Sequence, residues 1–295
     1  VTRTADRIAG PGIADNSLAV AALVELPRLL EQTHLRPVHD LWLVANVCEE
    51  GQGDLRGMRA VMDRFGHGPL AWIVLEGGLL GHVCFRGVGS QRYRVLVRTE
   101  GGHSWFDYGR PSAVHLLADL AHRIAQTPVP VQPKTTLNVG VIEGGTSVNT
   151  IAASASLLLD LRSECPKALH NLIAAVERLR DAFSPEGAEV TWELIGQRPA
   201  GGLPADHPLV TCATAALENT GFPANDIDLS PASTDANAPL AAGCPAVCIG
   251  LARGHNLHRT DEYLETGEVG LGLAQLLSLV AKLQEPPWET RQQTS

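Results

Sequence analysis

Leu41–Glu50 reads LWLVANVCEE, and Ala71–Gly78 reads AWIVLEGG. Each is a near-continuous apolar run closed by carboxylates. Continuous runs of this length, without polar alternation, suit strands covered on both faces. A helical stretch over 55–65 separates them. Strand, helix, strand with apolar strands predicts a right-handed crossover and a mostly parallel sheet, hence an α/β fold.

Working outward, the loop GPGIADN at residues 10–16 feeds an apolar helix from Ser17 to about Leu30. Asp15 or Asn16 is its natural N-cap, and Pro27 is expected to kink it. From Gly89 the pattern changes. Tyr93–Val97 alternates, as a strand with one covered face does. Helices are expected at 112–125, with Val114, Leu117, Ala121 and Ile124 on one face, and at 166–183, with Leu169, Leu172, Ile173, Val176 and Leu179 inward. Strands are expected at 136–142, 153–161 and 189–194. That order, β-α-β-β-α-β, is the ferredoxin-like unit. A Gly/Pro-rich turn after Arg198 leads back to α/β sequence, with a helix at 208–220, the buried strand PAVCI at 245–249 and a last helix at 267–283. The chain is thus expected to hold one α/β domain in two parts, 1–88 and 198–295, with the ferredoxin-like domain inserted at 89–197.

The 295 residues are 44% hydrophobic and 19% charged, with a formal net charge of -9. No basic stripe is present, which argues against nucleic-acid binding. No stretch approaches the roughly 20 apolar residues of a membrane span. The N-terminus lacks the apolar core of a signal peptide. Six scattered cysteines without a CxxC pair predict reduced core thiols in a cytoplasmic protein and speak against a thiolate zinc site.

The acidic residues at the ends of the apolar runs carry the chemistry. Glu49 and Glu50 fall at the carboxyl end of a predicted parallel strand, where open α/β sheets form their ligand sites. Read plainly, an EE pair is a solvated loop. At a strand end, however, one carboxylate can hold a metal while its neighbour stays free as a base, and two adjacent carboxylates are costly there without a cation. Glu76 ends the next run before two glycines, which permit close backbone approach. Asp15 precedes a helix, and His258 follows PAVCI in GHNLHRTDE, where Asp261 or Glu262 could orient it and His255 is a competing ligand three residues earlier. Oxygen-rich ligation with one histidine per metal suits a co-catalytic pair of zinc ions.

The ordered set GIADNS, EEGQGDLRG, LEGG, GGHSWFDYGRPSAVH, GGTSVNTIAASASLLLDLRS, STDANAPLAAGCPAV and GHNLHRTDE resembles the co-catalytic zinc peptidases. That family includes peptidase T, glutamate carboxypeptidase, aminoacylase and succinyl-diaminopimelate desuccinylase. The resemblance implies that the inserted domain is a lid and dimerisation domain and that the protein is a homodimer acting on small peptides or N-acyl amino acids. It implies that Asp15 bridges two zinc ions, Glu50 and His258 hold one of them and Glu76 the other, and Glu49 is the general base. It also implies an oxyanion-stabilising role for the lid histidine His103, reaching into the partner's site. Substrate contacts fall to Asn149 and Arg198, with Arg162 as a further candidate carboxylate clamp.

One departure stands out. The family holds its other metal with a histidine in an H-x-D motif upstream of the position matching Asp15, and no histidine precedes Asp15 here. The leading expectation is a chain that starts downstream of that motif. A one-zinc enzyme and a family member without catalysis are the alternatives.

Overall fold

The structure is a computed structural model that describes residues 1–284, the side chain of Gln52 excepted. Two compact units emerge. One is built on Val1–Glu49, Leu55–Gly87 and residues 202–284, the other on Glu50–Asp54 and Val88–Gly201. The main elements, in chain order, begin with α1 (Leu18–Gln32), α2 (Arg56–Phe65), β1 (Trp72–Glu76) and β2 (Val83–Cys84). Next come β3 (Gly89–Thr99), α3 (Ala113–Ala125), β4 (Thr135–Gly144), β5 (Ser154–Ser163), α4 (Pro166–Ala182) and β6 (Ala188–Arg198). The chain returns through α5 (Pro208–Glu218), α6 (Asn237–Ala241), β7 (Ala246–Gly250) and α7 (Val269–Lys282).

In the first unit β7 is the central strand, parallel to β1 and antiparallel to β2. All five of its residues are buried, and its side chains alternate between two cores. Val247 and Ile249 join Leu26 of α1, Leu209 of α5 and Leu279 of α7. Ala246 and Cys248 face the other way, toward Ala236 and Leu240. Covering both faces is what removes polar alternation from PAVCI, as expected. Pro27 lies inside an uninterrupted α1.

The same reasoning fails for Leu41–Val47, which forms no strand. Leu41, Trp42, Leu43, Val44 and Val47 are all exposed, Trp42 by 61%. Apolar composition favours a strand only where a neighbouring strand can take up the backbone N–H and C=O groups. Of these strands only β7 is paired on both edges, by β1 and by β2, and no described strand pairs with Leu41–Val47. The segment instead leans on α2, where the rings of Trp42 and Phe65 meet edge to face at 5.0 Å. Glu49 and Glu50 therefore follow an extended coil, not the end of a buried strand.

The second unit is an antiparallel sheet in the order β6-β3-β5-β4, joined through α3 and α4. Along β3, Tyr93, Val95 and Val97 point into the core and Arg94 and Arg98 point out. The buried stripe of α3 is Ala113, Leu117, Leu120 and Ile124. The sequence reading placed Val114 and Ala121 there, and the true stripe is turned by one residue because small Ala113 admits the close approach to the sheet. On α4 the buried positions are Leu169, Leu172 and Val176, with Ile173 and Leu179 packed at their margin.

One side chain of α7 breaks the pattern of a satisfied core. Gln275 is 0% exposed, and neither its Oε1 nor its Nε2 finds a hydrogen-bond partner among the described residues. An unmet buried amide is destabilising. Replacing Gln275 by leucine is expected to raise the unfolding free energy by about 1–2 kcal/mol, measured by urea titration; an unchanged or lower midpoint would show the amide to be satisfied.

Candidate metal centre

The loop before α1 carries Asp15, and its conformation is set by other loops. Residues Ile13–Ser17 make a wide turn in which Asp15 and Asn16 leave helical dihedrals, and Ser17 occupies the cap position of α1 without a capping hydrogen bond. Neither Asp15 nor Asn16 caps the helix, contrary to the sequence reading, because both side chains are engaged elsewhere. Asn16 donates from Nδ2 to the carbonyl of Leu75 (2.8 Å) and accepts at Oδ1 from the amide of Gly77 (2.9 Å). It thereby brackets Glu76, the last residue of β1. Asp15 accepts at Oδ2 from His258 Nε2 at 2.8 Å.

His258 lies in the loop after β7, with a left-handed backbone at φ 65°. This loop is secured by a buried carboxylate. Glu262, 1% exposed, accepts at Oε1 from the amides of Ala14 (2.8 Å) and Asp15 (2.9 Å) and at Oε2 from that of Gly12 (3.1 Å). Its own carbonyl accepts from the amide of Gly10 at 2.8 Å. Burial pushes the Glu262 carboxyl up, but the amides of Asp15, Ala14, Gly12 and His258 outweigh it, and the group is held below the usual carboxylate range. Asp261, the other residue expected to orient His258, binds the side chains of Asn256 and Arg259 instead.

One carboxylate oxygen each from Asp15 and Glu50 and a ring nitrogen of His258 lie within 4.8 Å of one another. It is the one such group of three or more candidate ligands among the described residues. Two carboxylates and an imidazole form a donor set that fits zinc, with room for a further ligand. Glu76 is not in the group, although Asn16 ties its flanks to the Asp15 loop. Asn46 donates to Asp235 Oδ2 at 2.9 Å and so anchors the coil three residues ahead of Glu49. Glu49 is partly buried beside exposed Glu50.

His103, Asn149, Arg162 and Arg198 belong to the second unit. His103 pairs with Thr150 across two short strands, and the amide of Ser104 donates to the carbonyl of Asn149 at 3.0 Å, so His103 and Asn149 are neighbours. The amide of Trp105 donates to Nδ1 of the exposed His103 (3.2 Å), which leaves Nε2 as the ring's donor nitrogen. Arg198 ends β6 and is only 7% exposed. Arg162 lies on β5, where it and Arg92 hold Asp160 between them.

No helix among the described residues is long and apolar enough to cross a membrane, and all six cysteines are free. The Asn16 bracket is the part of this centre that sequence reasoning missed, its only signal an asparagine beside a candidate ligand. Glu262, one of the two residues expected to orient His258, bonds the backbone amide of His258 and those of the Asp15 loop.

The acetylornithine deacetylase of Salmonella arizonae is 27% identical over 282 residues, covering 90% of this chain and 70% of that protein. Aminopeptidase PepT from Bacillus cereus superposes with a TM-score of 0.77 at 20% identity, covering 96% of this chain and 76% of the other. A tripeptidase from Staphylococcus aureus does so with a TM-score of 0.74 at 19% identity, covering 92% and 71%. At these identities the two structures bear on the fold alone. The sequence matches peptidase family M20/M25/M40 over residues 1–282, and the chain belongs to that family.

Proposed function

We propose that the protein is a zinc-dependent hydrolase of amide or peptide bonds in small substrates, of the aminopeptidase or tripeptidase kind. The observation that carries this reading is the convergence of Asp15, Glu50 and His258, with a second carboxylate, Glu49, adjacent in sequence to one of them. Bound zinc would polarise the scissile carbonyl and bring the pKa of water toward neutrality. Glu49 takes the proton of the attacking water on its carboxylate and returns it to the leaving amine. A second ion would draw on Asp15 and on Glu76, whose backbone neighbours Asn16 ties to the Asp15 loop.

The order β6-β3-β5-β4 supports a ferredoxin-like lid through which two chains would dimerise. His103, with Nε2 as its donor nitrogen, is suited to donate to a developing oxyanion, in the partner's site in such a dimer. Asn149 lies beside it to contact the substrate. Arg198 is the candidate carboxylate clamp, with Arg162 as the further candidate.

A second reading has its own support. The curated relative is a deacetylase, which favours an N-acyl amino-acid amidohydrolase on the same machinery. Zinc content of the purified protein, with Glu50→Ala beside it, tests the reaction class. Zinc retained by the wild type and lost by the variant supports the hydrolase. No zinc above background in the wild type turns the reading to a silent member of the family. A panel of dipeptides, tripeptides and N-acyl amino acids then separates the two substrate classes.

A further inference from the structure

A carboxylate that accepts several backbone amides does for a loop what a metal does for side chains: it fixes separate pieces of chain around one charge. Glu262 is in that position. Its two oxygens take the amides of Gly12, Ala14 and Asp15, and it also bonds the backbone amide of His258. Two of the residues so held are members of the candidate ligand group. The loop around Asp15 has no strand ladder to hold it, and its dihedrals at Asp15 (φ -116°, ψ 90°) and Asn16 (φ -138°, ψ 38°) are not helical. Its placement therefore rests on hydrogen bonds made from outside the loop.

We propose that Glu262 is the positioning residue of the metal centre, setting the separation of Asp15 from His258 through their backbones without itself touching the metal. This rests on the zinc reading above and extends it. Groups behind the ligands of a metal site commonly tune affinity by about 10–100-fold, and they do so by orienting ligands. The chemistry of Glu262 explains why a carboxylate is needed. The two oxygens meet only N–H donors. An amide at this position would keep one acceptor and present its own N–H₂ to a backbone N–H, so half the clamp would turn repulsive. The shape would survive while the electrostatics would not.

The test uses the full chain, with zinc affinity measured by competition against a chromophoric chelator. Glu262→Gln is expected to weaken zinc binding by about 10–100-fold. Glu262→Asp, which keeps both acceptors on a shorter arm, should lose less and gives a second variant if the glutamine form does not fold. Leu117→Ala, a core truncation in the other unit, controls for general loss of stability and should leave zinc affinity within about twofold of wild type. A folded Glu262→Gln protein with wild-type zinc affinity overturns the proposal.

Amide hydrogen exchange on metal-free protein supplies the independent readout. Gly12, Ala14, Asp15 and His258 are expected to exchange at least about tenfold faster in Glu262→Gln than in wild type. Unchanged exchange at these four amides refutes the clamp. A wild-type protein that binds no zinc would sink the metal reading alone, because the exchange comparison still decides whether Glu262 holds Asp15 to His258.

Discussion

Glu49→Gln is expected to lower kcat by about 10²–10⁴-fold, the usual yield of a general acid–base residue, while the purified protein keeps its zinc. At 1.36 kcal/mol per factor of ten, that is about 3–5 kcal/mol of transition-state stabilisation. The split between the two effects follows from where the neighbouring carboxylates lie. Glu50 contributes an oxygen to the ligand group and Glu49 does not. Glutamine is close to glutamate in volume, so the coil anchored through Asn46 and Asp235 keeps its course, and what disappears is the capacity to accept a proton. Glu50→Ala has the opposite signature, with metal lost and turnover falling as a consequence. Full turnover in Glu49→Gln on a good substrate would exclude Glu49 as the base. Loss of zinc together with activity would place it among the ligands.

That assignment began from a premise the structure reverses, and the reversal shows what a sequence can convey. LWLVANV reads as a buried strand because hydrophobicity is a property of the residues themselves. Whether a strand forms depends on a hydrogen-bonding neighbour, which is a property of the whole fold. Strand β7, equally apolar, has a neighbour on each side and is fully buried. The alternation of β3 and the stripes of α3 and α4 were legible because one face of each meets one core, and the one-residue error on α3 arose from weighing Val114 above the smaller Ala113. At the centre, Asp15, Glu50 and His258 could be named because carboxylates and imidazoles are the usual zinc donors in oxygen-rich sites. The Asn16 bracket and the grip of Glu262 on the Asp15 loop could not, since the partners are backbone groups and any residue has a backbone; Glu262 could be named only beside Asp261, as a residue to orient His258. The positions of Arg162 and Arg198 were hidden for a related reason. A strand arginine reads as a free cation until its cross-strand neighbour, here Asp160, or its burial is known.

Glycines mark a further layer of the same centre, and Gly77→Ala is expected to destabilise the protein by about 3 kcal/mol or more, at the upper end of overpacking effects. A Cβ on Gly77 would sit 1.9 Å from the carbonyl oxygen of Ala14 and 3.0 Å from Leu18 Cβ. The first of these is backbone and cannot swing aside. Gly78 and Gly254 pack against the same loop, and a Cβ on Gly254 would meet Gly78 Cα at 2.7 Å and Ala14 Cβ at 2.9 Å. Three loops thus meet at close backbone range, which is how Asn16 reaches the backbone on both sides of Glu76. To admit a methyl group, the Ala14 carbonyl must move by about 1 Å, since contacts under 3.0 Å are essentially never seen. That displacement carries Asp15 with it and strains the Asn16 bonds to Leu75 and Gly77. Zinc affinity should therefore fall along with stability, in contrast to a core truncation remote from the site. Gly270→Ala provides the opposite sign from the same chemical change. Gly270 is an exposed residue in the first turn of α7, and a Cβ there meets nothing within 4 Å. Alanine is the better helix former, so this variant should gain about 0.5–1 kcal/mol. Urea unfolding of the two variants beside wild type reads both shifts. Gly77→Ala unfolding at the wild-type midpoint would mean that the Asp15 loop does not pack against β1 in the way that brings Asp15 and Glu76 together.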